Sequence, residues 1–124
     1  MGDMIAVILA SGAPDRLYTA LSLLVSTAAE DEPARGLVTF EALAPMLDDA
    51  LEARAAEERG ELFARTLAEL RVTARELPDC RLWACAAAVE TTGADRAAIA
   101  ARLDGVLSTP RFLREVAGAE LVVV

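Results

Sequence analysis

The run Met4-Ile5-Ala6-Val7-Ile8-Leu9-Ala10, closed by Ser11-Gly12 and followed by Pro14-Asp15, decides the fold. An apolar run with no polar interruption has the profile of a strand buried on both faces, as in parallel sheets covered by helices. Proline suits the first turn of a helix, and an acid there meets the positive end of the helix dipole, so Pro14-Asp15 predicts a helix start. Leu17, Ala20, Leu21, Leu24, Val25 and Ala28 then form one apolar stripe at helical spacing. The acidic stretch Glu30-Asp31-Glu32-Pro33 ends that helix.

Beyond this first βα unit the alternation continues. Gly36 to Phe40 reads as a second short strand. From Glu41 to Leu77 the pattern is helical with a break at Gly60, which predicts two helices. Pro78 stops the second, and a third strand runs through Leu82 and Trp83 to Cys85. Trp83 alternates with its neighbours and reads as core or subunit interface. Ala94 to Leu103 is a short helix, Gly105 to Leu107 a strand, Thr109 to Ala117 a helix with Pro110 at its start, and Leu121 to Val124 a last strand. Residues 1–124 show no internal repeat, low-complexity tract or linker and read as a single α/β domain. The order β-α-β-α-α-β-α-β-α-β predicts a five-stranded, mostly parallel, doubly wound sheet.

In the flavodoxin-like order 2-1-3-4-5, strands one and three are adjacent and central, and a crevice opens between their carboxyl ends. That order would bring Cys85 beside the loop holding Ser11, Gly12, Asp15 and Arg16. Phe40, Glu41, Glu90 and Gly93 would share the same rim. Arg16 is the nearest expected cation able to favour a thiolate, and helix N-terminal amides after the strand would act in the same sense.

Composition narrows the chemistry. The chain has 124 residues and no histidine. Without imidazole there is no Ser-His-Asp or Cys-His nucleophile pair and no histidine-containing metal site. No cluster of cysteines and carboxylates has metal-ligand spacing, and no GxGxxG or P-loop is present, so no metal or cofactor is expected. Asp48-Asp49 and Glu57-Glu58 read as solvated helix faces. All twelve basic residues are arginine, and the net charge of −8 disfavours nucleic acid.

Hydrophobic residues make up 55% of the chain, yet no run is long enough to span a membrane. The surplus apolar surface predicts association with other subunits. The N-terminus Met1-Gly2-Asp3-Met4 lacks the basic start of a signal peptide, which predicts a cytoplasmic protein. Cys80 and Cys85 would stand roughly 16 Å apart on an extended strand and point to opposite faces, too far to form a disulfide.

The stretch Leu82-Trp83-Ala84-Cys85-Ala86-Ala87-Ala88-Val89-Glu90-Thr91-Thr92-Gly93 resembles the DsrE/DsrF-like family, in which a strand ends in a cysteine and a glycine follows. Ser11-Gly12 with Asp15-Arg16-Leu17-Tyr18, Thr39-Phe40 with Leu43, and the segment from Gly105-Val106 through Phe112-Leu113 to Ala119-Glu120 extend the resemblance along nearly the whole chain. The resemblance implies a flavodoxin-like subunit that forms trimers or hexamers. It also implies a cysteine, here Cys85, that carries sulfur as a persulfide between a protein donor and acceptor. The chain departs from that pattern at Ala86, Ala87, Ala88 and Val89, where the family often has glutamine, methionines and a serine. Some relatives are labelled peroxiredoxin-like, but the threonine that a peroxidatic site places three residues before its cysteine is here Leu82.

Three readings remain open at this level, and whether the protein is an enzyme is open with them. Cys85 is the working thiol of a sulfur carrier or sulfurtransferase subunit. Alternatively it is a small structural hydrophobe in an oligomeric scaffold, or the crevice binds a small ligand. Accessibility of Cys85 separates the first two.

Overall fold

The computed structural model describes residues 3–124. In chain order the elements are β1 (Ile5–Leu9), α1 (Pro14–Ala29), β2 (Ala34–Val38), α2 (Phe40–Leu47), α3 (Leu51–Arg59), α4 (Glu61–Glu76), β3 (Cys80–Cys85), α5 (Ala86–Thr92), α6 (Arg96–Arg102), β4 (Val106–Leu107), α7 (Thr109–Glu115) and β5 (Glu120–Val123). All five strands pair in parallel.

The strand order is β4-β3-β2-β1-β5 and not 2-1-3-4-5. The doubly wound, all-parallel α/β architecture of the flavodoxin-like class is present, but its strand order is not. Strands one and three are separated by β2, which pairs with both: Val38 lies opposite Leu9 on one side and Ala84 on the other. The composition of β2 fits this central place. Gly36 has no side chain, and a Cβ there would meet Leu82 Cδ2 at 2.5 Å, with Leu24 and Leu9 close behind. Large residues from β1, β3 and α1 therefore close over β2 at Gly36.

Local chemistry accounts for the other differences from expectation. β2 ends two residues early because the Thr39 backbone N–H and hydroxyl both donate to the Leu9 carbonyl, at 3.0 and 2.8 Å, and α2 begins at Phe40. Three helices, not two, fill the segment before β3. The unforeseen break follows Pro45, and Asp48 closes it, its Oδ1 accepting from the Ala50 N–H at 2.8 Å. Gly60 ends α3 at φ +92°, where the sequence places a break. Gly93, at φ +66°, divides the region after Cys85 into α5 and α6.

Helices cover both faces of the sheet. α1, α3 and α4 pack on one another, and α2 packs on α5 and α6. Adjacent strand residues point to opposite faces. Leu82 closes over Gly36 beside Leu24 of α1, whereas Trp83 meets Phe112 of α7 edge to face at 6.2 Å between ring centres. α7 therefore lies across the sheet from α1. The core between contains Ala6, Val7, Leu9, Leu21, Leu37 and Leu67, each fully buried.

Candidate functional site

The carboxyl rim of the sheet is assembled from strand ends and the helices that leave them. Cys85 is the last residue of β3 and the residue immediately before the first turn of α5, at φ −67° and ψ 125°. A junction this short follows from the sequence: after the strand-forming Leu82-Trp83, the alanines at 86 to 88 carry high helix propensity. No side chain caps α5. On the sheet, Cys85 lies opposite Leu107 of β4, and its predecessor Ala84 lies between Val38 and Val106. Ala88 and Val89 of α5 are buried with it in the core. The Cys85 side chain is 2% exposed. Its surroundings are those of an apolar side chain.

The residues expected around Cys85 separate into two groups. With β2 between β1 and β3, the first loop stands two strand spacings away, about 10 Å. Winding reverses between β1 and β5, so it is Ser11, Gly12, Asp15 and Arg16 that lie at the reversal, and Cys85 does not. There the Ser11 hydroxyl accepts from the Ala13 N–H at 3.1 Å, and Asp15 pairs with Arg59 of α3 at 3.1 Å. Arg16 is exposed. The expected pairing of Arg16 with the thiol is thereby lost.

Phe40 and Glu41, at the exit of β2, are the true neighbours of the β3 end. A methyl group at Gly12 would collide with the Glu41 carbonyl, so this glycine lets the first loop close against the start of α2. Pro45 has no N–H to donate back to that carbonyl. Phe40 is 49% exposed and lines, with Thr92 and Ala94, a groove of about 320 Å³ between α2 and the α5–α6 turn. Glu90 and Gly93 are exposed at that turn. Phe40, Glu41, Glu90 and Gly93 thus belong to the elements on the Cys85 side of the sheet, while the thiol itself is buried.

Cys80, at the other end of β3, is also buried and unpaired. Burial pushes its thiol up to about 11, the Asp104 carboxylate adds to the effect, and Arg35 opposes it. Asp104 itself was not singled out by sequence reasoning. Because β4 is two residues long, it pairs only with Ala84 and Cys85. Asp104 completes the ladder in its place: its Oδ2 accepts from the Leu82 N–H at 2.7 Å, and its own N–H donates to the Leu82 carbonyl at 2.7 Å. Arg75 donates to its other oxygen at 3.2 Å. An Asp-Gly pair before a short strand reads as a turn, so the only signal was the brevity of that strand.

Arg71 was likewise missed, since an arginine on an amphipathic helix reads as solvated. Its side chain is 9% exposed and holds Glu52 through both oxygens, at 2.7 and 2.8 Å, with the Met46 carbonyl at 2.9 Å. Among the described residues no helix is long and apolar enough to cross a membrane. Compared with known proteins, the chain matches no protein-family model and no curated protein.

Proposed function

We propose that this protein is a self-associating, non-enzymatic α/β subunit of the DsrE/DsrF-like kind, cytoplasmic and threefold in its assembly, in which Cys85 is a structural thiol. The observation that carries this reading is the 2% exposure of Cys85 among apolar neighbours. A sulfur donor must reach the sulfur atom, and buried cysteines without polar partners behave as small hydrophobes. Self-association is supported by exposed apolar side chains, Leu121 at 47% and Val123 at 64%, on the edge strand β5. Light scattering at micromolar concentration should return a multiple of three subunit masses, and a single subunit's mass would overturn the assembly.

A second reading rests on where Cys85 sits. It closes β3 at the carboxyl rim and directly precedes the first turn of α5, whose amides no side chain caps. In a carrier, the outer sulfur of a donor persulfide would bond to Cys85 as the donor's S–S bond breaks and the donor departs as a thiolate. Mass spectrometry after exposure to a persulfide donor separates the two. The structural reading expects no added sulfur on the native protein and modification of both cysteines after unfolding. One added sulfur atom on native protein, abolished by Cys85→Ser but not by Cys80→Ser, would establish the carrier instead.

A further inference from the structure

An open-mouthed cavity of about 500 Å³ lies between α4 and the end of α6, over Leu82 of β3. Small-molecule sites commonly occupy about 300 to 1,000 Å³, mostly apolar with a few placed polar groups. Ala68 and Val72 supply its apolar wall, with Met46 and Leu82, each almost fully buried, beneath. Three arginines, Arg71, Arg75 and Arg102, line it too, with Glu52 and Glu76.

We propose that this cavity binds a small organic monocarboxylate with an apolar body, its carboxylate held by Arg75 and Arg102. The three arginines differ in what they have left to offer. Arg71 is buried and held by Glu52 and by backbone carbonyls, so it shapes the wall and is not available to a ligand. Arg75 uses one terminal nitrogen on Asp104, and Arg102 one terminal nitrogen on Asp49, and their side chains are 39% and 34% exposed. A guanidinium has five donors in a planar fork that matches a carboxylate, so each retains N–H groups for a second acceptor. The Asp49 side chain is 87% exposed and can return to water when a ligand arrives.

The charge of the ligand follows from the rest of the wall. Glu76 lines the same cavity, and the chain's net charge is −8. Both disfavour a phosphate dianion and leave a single negative charge as the fitting choice. The apolar lining then asks for a hydrocarbon body behind the carboxylate.

Isothermal titration of the whole protein with octanoate and with the neutral octanamide tests this. Octanoate should bind saturably at low millimolar concentration, with the amide about tenfold weaker. Arg102→Gln should weaken octanoate severalfold and leave octanamide unchanged. Val72→Trp should abolish binding by filling the cavity; Val72 is 57% exposed, so the fold tolerates the larger side chain, and unchanged thermal unfolding would verify it. No saturable binding of octanoate, equal binding of acid and amide, or unaltered binding in both variants would each overturn the proposal.

Discussion

The two halves of β3 bury a cysteine each, yet they offer their sulfurs opposite surroundings. Cys80 is 4% exposed and Cys85 2%. Around Cys85 the strand is laddered on both sides, and the neighbours are apolar. Around Cys80 it is laddered to β2 alone, and charged groups stand close: Asp104 completes the open edge, and Arg35 donates to the Asp79 carbonyl at 2.6 Å. The difference traces to the length of β4. Where a strand neighbour is missing, a carboxylate does its work, and a charge enters an otherwise apolar edge. Burial alone therefore does not define a cysteine's chemistry.

The largest effect expected on this comparison comes from the layer that carries Trp83. Phe112 is fully buried against that ring. Phe112→Ala should cost about 4 kcal/mol by urea denaturation, through lost burial and the cavity left behind. A loss below about 1 kcal/mol would show that α7 does not depend on this contact for its place on the sheet.

The Cys80 half should reveal itself at alkaline pH. Its thiol is raised from 9.0 to about 11 in the folded protein, so the folded state retains the proton over a range where the unfolded chain has released it. The stabilisation from this group is complete below pH 9 and is lost as pH rises toward about 11, for a total of roughly 3 kcal/mol. Cys80→Ala should flatten that part of the stability curve relative to the parent protein. Equal slopes in the two would remove the distinction drawn between the cysteines.

Asp104 should give the next effect. Asp104→Ala leaves the Leu82 N–H without its acceptor and should cost about 2 kcal/mol, whereas Asp104→Asn retains an acceptor and should recover much of it. Arg75→Gln removes only a partly exposed ion pair and should cost under about 1 kcal/mol. If Arg75→Gln proved as damaging as Asp104→Ala, the ion pair and not the ladder bond would hold the edge.

The elements themselves were legible in the sequence where one signal was strong and local. The apolar run at Met4 to Ala10 is β1, Pro14-Asp15 opens α1, and Gly60 divides α3 from α4, because burial on both faces, a fixed φ and a positive φ each write themselves into residue type at the position concerned. Pro45 and Asp48 carried a break that helical periodicity hid. Strand order was not legible. It depends on which strands pack against which once the chain is folded, and at Gly36 the lack of a side chain leaves the room that Leu82, Leu24 and Leu9 take over central β2. The candidate site changed with it. Sequence named Cys85 and placed it at a strand-to-helix junction, as found, but only the packed sheet decided that β2 would stand between that thiol and Arg16 and that the sulfur would be enclosed. Residue type is a local property, whereas adjacency and burial belong to the whole set of neighbours a residue acquires on folding.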